Sequence, residues 1–164
     1  MKTEESHEIP HLLDLTPGCS VLELGSGSGR YALYVAETAR CQVVGLDVNA
    51  EGMLNASALA GQQNLSAQVR FEQCDVSQPL AFADANFDAV YSNDVLCHIP
   101  GRLALLRERW LVLKPGGRMI FSDALVVGGT LSNEEIATGS MIGYYLFVPP
   151  RENERLIEAQ GFGR

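Results

Sequence analysis

Short apolar runs rich in β-branched residues alternate along the chain with longer runs that have helical apolar spacing. This alternation is typical of a parallel sheet covered by helices, and it predicts an α/β fold with a doubly wound, mostly parallel sheet. The predicted strands are SVLEL (20–24), CQVVGLD (41–47), QVRFEQC (68–74), FDAVYSN (87–93) and RMIFSDAL (118–125). The predicted helices are GRYALYVAETA (29–39), AEGMLNASALAGQQN (50–64) and GRLALLRERWLVL (101–113).

Length and hydrophobic content favour one domain. A chain of 164 residues with 46% hydrophobic residues can bury a sizeable single core, so we expect one domain over residues 1–164. Turn residues separate the predicted elements, as in LKPGG (113–117), which we interpret as a turn ahead of the fifth strand.

The charge of the chain restricts its partners. A formal net charge of −8 and a pI near 4.8 disfavour binding to nucleic acid or to anionic lipid. No apolar run approaches the roughly 20 residues that a membrane span needs, so we expect a cytoplasmic protein with no membrane or nucleic-acid partner. The four cysteines form no C-x-x-C pair, which predicts free thiols and no metal site.

Polar or glycine residues follow the ends of four consecutive predicted strands. Gly25, Gly27 and Gly29 come after the first strand, and Asp47 ends the second. Asp75 ends the third strand, and SNDVLCHI (92–99) closes and follows the fourth. In a doubly wound sheet the ligand binds at these carboxyl ends, so their joint occurrence predicts a nucleoside site.

Each of these features also has a purely structural interpretation. The glycines can serve tight packing between a strand and a helix, and Asp47 and Asp75 can each cap a helix that follows. The order of the features at successive strand ends favours the nucleoside site. A dinucleotide fingerprint requires a third glycine at position 30, where this chain has Arg30, so NAD and FAD are disfavoured.

The pattern E-x-G-x-G-x-G over residues 23–29 resembles the class I S-adenosylmethionine-dependent methyltransferases of the small-molecule type. The family motif LKPGG also occurs verbatim at residues 113–117. The resemblance extends over nearly the whole chain, from about Thr16 to Phe162. It implies a Rossmann-like methyltransferase sheet with S-adenosylmethionine as cofactor and S-adenosylhomocysteine as product. The implied cofactor-binding residues are Glu23, Gly25, Ser26, Gly27 and Gly29 for the methionine part, Asp47 and Val48 for the ribose, Asp75 and Val76 for the adenine, with Asn93 and Asp94 beside the cofactor.

The resemblance also implies a small-molecule acceptor, with amines such as glycine, sarcosine or phosphoethanolamine in first place. His98 follows the fourth strand, where an imidazole can orient an acceptor or take its proton, and it is the candidate catalytic residue. Packing or capping ahead of Pro100 is the alternative for His98. Tyr144 and Tyr145 are candidates for an acceptor pocket, although paired aromatics in an apolar run usually belong to a core.

The chain departs from the family pattern at its end. The family sheet has seven strands, and this sequence stops where the sixth would begin, so we expect five core strands without the usual C-terminal hairpin. Two alternatives to an active enzyme follow: a cofactor-binding module without turnover, and an interaction protein that keeps only the fold. The fifth strand is expected at a sheet edge, which favours a homodimer unless residues 130–150 fold back over it.

Overall fold

The sheet is parallel and has five strands in the part of the chain that the computed structural model describes, residues 8–123, 132–134 and 148–161. The strands are β1 Ser20–Leu24, β2 Gln42–Asp47, β3 Val69–Gln73, β4 Phe87–Asn93 and β5 Leu113–Ser122. Their order is β3-β2-β1-β4-β5, and each neighbouring pair is parallel. The predicted doubly wound α/β sheet is therefore confirmed.

Helices cover both faces of this sheet. They are α1 Ile9–Leu12, α2 Arg30–Ala39, α3 Ala50–Gln62, α4 Arg102–Val112 and α5 Glu152–Ala159, with a 3₁₀ turn at Leu96–His98. The three helices predicted from the sequence agree with α2, α3 and α4 to within two residues at each end. The Asn49 side chain begins α3 by accepting the Gly52 amide at 3.1 Å, a typical N-cap bond.

Two apolar clusters lie on opposite faces of the sheet. Val21 of β1 packs into the cluster that includes α1, α2 and α3, whereas Leu22 and Leu24 pack into the cluster that includes α4. All three side chains are at most 1% exposed. Burial on both faces explains why β1 appears in the sequence as a continuous apolar run rather than as an alternating one.

The fifth strand differs from its prediction. Pairing with β4 begins at Leu113 rather than at Arg118, and the register shifts so that Phe87 pairs with Leu113 while Ala89 pairs with Arg118. LKPGG is therefore an irregular stretch inside β5, and its interpretation as a turn ahead of the strand is wrong. The predicted residues 124 and 125 lie outside the described residues.

A lysine in that stretch fastens it to the neighbouring strands. Lys114 Nζ lies 2.8 Å from Asp88 Oδ2, which also accepts the backbone amide of Ser20 at 2.8 Å. These bonds connect the amino ends of β1, β4 and β5. The glycine loop lies at the other, carboxyl end of the strands. The extra residues of β5 are thereby accommodated without breaking the sheet.

Two further expectations can be compared with the structure. All four cysteines carry free thiols, as predicted. In the described part of the chain, no helix combines the length and the apolar character that a membrane crossing requires. Tyr144 and Tyr145 lie outside the described residues, as does most of 130–150.

Candidate functional site

A cavity of about 530 Å³ opens at the carboxyl ends of the strands, beside the point where the strand order reverses between β1 and β4. In the described part of the chain, its lining residues are Gly25, Asp47, Val48, Asp75, Val76, Ser77, Asn93, Asp94, Val95, His98, Ile99 and Pro100. Eight of these are residues that the sequence singled out. Glu23, Ser26, Gly27 and Gly29 are not on the cavity wall.

The three loop glycines all have positive φ values, but they face different surroundings. At Gly25 a Cβ atom would lie 2.2 Å from Cγ2 of Val95, and at Gly29 one would lie 2.5 Å from the Phe71 ring. Both positions therefore need glycine for packing as well as for conformation. At Gly27, with φ of +51°, a Cβ atom would meet nothing within 4 Å. Gly27 is thus the position where open space lies next to the loop backbone.

Asp47 closes the glycine loop from the end of β2. Its Oδ2 accepts the Gly27 amide at 2.8 Å, and its Oδ1 accepts the Asn49 amide at 2.9 Å. The side chain that caps α3 belongs to Asn49, so Asp47 does not fill the capping role that the sequence left open. Each carboxylate oxygen keeps a second lone pair, which leaves Asp47 able to accept hydrogen bonds from a ligand.

Asp75 and Val76 lie in the irregular segment after β3. Asp75 Oδ1 accepts the Ser77 amide at 2.9 Å, and the hydrogen bonds from Ser77 hold the pKa of the carboxyl below its usual range. No helix begins in the described residues between Asp75 and the start of β4, so the helix-capping interpretation of Asp75 is wrong. Asp75 is exposed while Val76 is buried, and both line the cavity.

Asn93 and Asp94 are held together by a serine from the neighbouring strand. Ser122 Oγ lies 2.6 Å from Asn93 Oδ1 and 2.8 Å from Asp94 Oδ1, and it accepts the Asp94 amide at 3.0 Å. Asp94 has a φ of +54°, a left-handed conformation that Asp adopts more readily than most residues. Ser122 therefore links both residues, which line the cavity, to the end of β5.

His98 ends the 3₁₀ turn that follows β4. Its backbone amide donates to the Val95 carbonyl at 2.9 Å, and its side chain is exposed on the cavity wall. This placement brings an imidazole to the same cavity as Asp47, Asp75 and Asp94.

Glu23 is the member of the glycine motif that lies deepest. It is 1% exposed and pairs in register with Tyr91 of β4. Burial raises the pKa of Glu23 to about 8; the nearby Tyr91 hydroxyl and the Ala32 backbone lower it, and the charge of Asp47 raises it further. The Tyr91 hydroxyl stays outside hydrogen-bond geometry, and Glu23 Oε2 has no partner in the described part of the chain. Burial therefore favours the protonated form of this carboxyl.

The electrostatic character of the cavity is acidic. Among the described residues, three carboxylates line it, and neither lysine nor arginine does. Within the described ranges, no group of three or more His, Cys, Asp or Glu side chains has an arrangement that could hold a metal ion. The arrangement therefore suits a ligand that has hydroxyl or amino donors and a positive charge.

Several residues of the site escaped the sequence analysis. Val95 and Ile99 belong to the stretch 92–99 that the sequence singled out, and Pro100 follows it, yet only their place on the wall reveals their role. Ser122 reaches the site from the end of β5. Buried Arg109 contacts the site from α4, where its Nη2 donates to the Val76 carbonyl. Both Ser122 and Arg109 act across about thirty residues of sequence, a separation at which side-chain pairing leaves no local pattern.

Known proteins share this architecture. Phosphoethanolamine N-methyltransferase 1 of Triticum aestivum is 34% identical over 161 residues, a match that covers 97% of this chain and 31% of that protein. An arsenite methyltransferase of Aquipseudomonas alcaligenes is 35% identical over 163 residues, covering 93% of this chain and 46% of that protein. The solved structure of Haemonchus contortus phosphoethanolamine N-methyltransferase 2 in complex with S-adenosyl-L-methionine superposes with a TM-score of 0.89 at 25% identity, covering 98% of this chain and 37% of that chain.

The chain thus spans less than half the length of each of these relatives. Residues 22–121 match the family described as a methyltransferase domain, a stretch that runs from β1 into β5 and includes every residue lining the cavity. Because that match extends over more than half of the sequence, the chain belongs to the methyltransferase domain family.

Proposed function

We propose that the chain binds S-adenosylmethionine in the cavity at the carboxyl ends of the strands and transfers its methyl group to a small-molecule acceptor. The observation that carries the proposal is the meeting of Gly25, Asp47, Asp75 and His98 on one cavity wall, from four separate strand ends. Family membership supports the reaction class, and the complex reported for the Haemonchus contortus relative supports the cofactor.

The cavity fits such a cofactor in size and in charge. Its volume of about 530 Å³ lies within the range of roughly 300–1,000 Å³ that is usual for small-molecule pockets. A sulfonium cation suits a wall on which the described residues place three carboxylates and neither lysine nor arginine. The two free lone pairs of the Asp47 carboxylate suit the vicinal hydroxyls of a ribose.

The roles of the individual residues follow from their positions. Asp47 and Val48 would hold the ribose, Asp75 and Val76 the adenine, and the loop from Gly25 to Gly29 the aminocarboxypropyl end. Asn93 and Asp94, fixed by Ser122, would border the cofactor on the side of β4. Glu23 and Ser26 would support the loop that holds the aminocarboxypropyl end rather than line the cavity, because both are buried and neither is on the wall.

The cofactor supplies a methyl group that is already activated, so the protein has to position the acceptor, exclude water and keep the acceptor lone pair unprotonated. His98 supplies an imidazole on this wall, a side chain suited to general acid–base catalysis. An amine is the acceptor class we propose, since the acidic wall suits a group that arrives as a cation and gives up its proton to an imidazole. The phosphoethanolamine N-methyltransferase names among the relatives support this choice.

Two measurements test the proposal in sequence. Calorimetric titration with S-adenosylmethionine and S-adenosylhomocysteine comes first, because absence of binding would leave only an interaction protein with this fold. Transfer of a labelled methyl group to a panel of amines, phenols and quinols comes second. The panel should contain ethanolamine and phosphoethanolamine, since that pair separates an amine site from one that also needs a phosphate. Binding without transfer to any acceptor would establish a module without turnover.

The wider setting of the protein is part of the same proposal. The acidic composition supports a small-molecule acceptor over nucleic acid, and a cytoplasmic location accords with it. We also propose self-association through β5, which lies at one end of the described sheet.

A further inference from the structure

Arg109 interrupts the apolar stripe by which α4 packs against the sheet. Leu105, Leu106 and Val112 form that stripe and are at most 3% exposed, and Arg109 stands among them with no exposed surface at all. Arginine is almost never fully buried unless its charge is paired. Such a break in the helical pattern is expected where a function, rather than packing, selects the residue.

The hydrogen bonds of this guanidinium are incomplete. Nη2 donates to the Val76 carbonyl, whereas Nε and Nη1 are buried and have no partner in the part of the chain that the structure describes. Burial lowers the pKa of Arg109 to about 10, while the charges of Glu108 and Cys74 raise it, so the group stays charged at neutral pH. A charge with unmet donors costs stability, and an apolar side chain of similar volume would avoid that cost.

Within the described residues, the one hydrogen bond of the Arg109 side chain ends at Val76, a residue of the cavity wall. Asp75, Val76 and Ser77 line the cavity in succession, and the described residues between β3 and β4 form no helix or strand of their own. The Cys74 amide donates to the Asp47 carbonyl at 2.9 Å and fastens one end of this stretch to β2. Arg109 fastens the Val76 peptide to α4.

We propose that Arg109 is a positioning residue for the cofactor site: by holding the Val76 carbonyl, it fixes the wall formed by residues 75–77 in the arrangement that receives the adenine. The inference rests on the proposed function, which assigns the adenine to Asp75 and Val76. It explains why a costly buried cation occupies a core position, because the stability lost there is offset by a wall that does not have to order on binding.

Stability and affinity should move independently when Arg109 is replaced. Arg109→Met keeps a long side chain in the stripe and removes both the charge and the donor. Its melting temperature should stay at or above that of the wild type, because apolar replacements of buried ions are often neutral or stabilising. Its affinity for S-adenosylhomocysteine should fall about tenfold, a factor that corresponds to roughly 1.4 kcal/mol.

Calorimetry with S-adenosylhomocysteine, together with thermal unfolding, measures both quantities. Leu106→Met is the matched control, since it alters the same stripe without removing the hydrogen bond to the Val76 carbonyl, and it should bind the ligand as the wild type does. Arg109→Lys, which keeps a donor, should recover part of the lost affinity. In turnover, Arg109→Met should raise KM for S-adenosylmethionine more than it lowers kcat.

The outcomes separate the inference from the proposed function. A wild-type protein that fails to bind the ligand refutes the proposed function. Wild-type binding with an equal affinity in a folded Arg109→Met variant overturns the inference alone, as does a loss of affinity that only follows a loss of stability. If Arg109→Met does not fold, the shorter Arg109→Gln replaces it, with the same expected loss and the same contradicting result.

Discussion

The carboxylate of Asp47 holds the glycine loop against the end of β2, because its Oδ2 accepts the Gly27 amide at 2.8 Å. The same carboxylate faces the cavity, so one side chain both shapes the loop and presents acceptors to a ligand. The geometry that orders the loop and the chemistry that would bind a ribose are therefore coupled at one residue.

Replacing Asp47 should weaken cofactor binding while leaving the sheet intact. Asp47→Ala removes a charged acceptor from the site, and we expect a loss of roughly 1.5–3 kcal/mol in the binding of S-adenosylhomocysteine, the usual scale for a hydrogen bond to a charged group. Calorimetric titration measures it. Glu37→Ala, which removes an exposed carboxylate from α2, is the control and should bind normally. An unchanged affinity in folded Asp47→Ala would remove Asp47 from the site.

Two of the loop glycines, Gly27 and Gly29, should respond differently to substitution. Gly29→Ala places a methyl group within 2.5 Å of the Phe71 ring and 2.7 Å of Ala56, so it should lower the melting temperature strongly. Gly27→Val meets no protein atom at its Cβ, so it should keep most of the stability apart from about 1–2 kcal/mol for a left-handed backbone. The valine side chain would fill the open space beside the loop, where we propose that the aminocarboxypropyl end binds, so the variant should not bind S-adenosylhomocysteine. Normal binding by Gly27→Val would mean that the loop serves packing alone.

The sequence predicts the fold better than it predicts the details of the site. β1 and β4 have the predicted bounds because their apolar runs end at a turn or a polar residue, which are local signals. The sequence does not predict the start of β5, because Pro115, Gly116 and Gly117 are typical turn residues. Pairing with β4 nevertheless keeps that stretch in the sheet. A tertiary contact here overrides a local preference.

The residues at strand ends were predictable for a similar reason, since parallel strands bring their carboxyl ends to one edge. The sequence does not predict the side chains that hold these residues in place. Ser122 reaches Asn93 from another strand, and Arg109 reaches Val76 from a helix, so neither pairing leaves a short-range pattern. For Asp75 the sequence left helix capping open, and only the absence of a helix in the described residues that follow decides against it.

His98→Asn should lower methyl transfer far more than cofactor affinity. Asparagine keeps a polar side chain at the end of the 3₁₀ turn but cannot take up a proton at neutral pH. A positioned acid–base group contributes roughly 10²–10⁴-fold to rate, so a loss of that order in kcat is expected with amine acceptors. Labelled-methyl transfer and calorimetry on the same preparation measure the two effects. Equal losses in both would make His98 a cofactor contact or a fold residue.

His11→Asn is the matched control for this experiment. His11 is an exposed imidazole of α1 and does not line the cavity. Its replacement should leave both transfer and affinity unchanged, and a loss there would show that the assay responds to surface histidines in general.

Glu23 should make folding stability depend on pH. Its pKa rises from 4.5 in its ordinary state to about 8 in the folded protein, chiefly through burial. The folded state therefore binds a proton that the unfolded state releases, and the stability contributed by Glu23 falls as the pH rises from about 4.5 through about 8. Glu23→Gln cannot ionise, so its stability relative to the wild type should increase over this range. Denaturant unfolding of both proteins at pH 5 and at pH 8 measures the difference, and parallel pH profiles would contradict the assignment.

The edge of β5 should support self-association. In the described sheet β5 pairs with β4 alone, so its other side presents backbone groups that a second strand can pair. Met119, Ile120 and Phe121 make the second half of this strand apolar. The irregular stretch at Lys114–Gly117 interrupts only the beginning of this edge. We expect a two-fold dimer, the commonest closed assembly. Sedimentation over a range of concentrations should show a mass that rises from 17.8 kDa to twice that value. A monomer throughout, with the amides of β5 strongly protected from hydrogen exchange, would contradict the dimer and favour coverage of the edge by the segment 130–150.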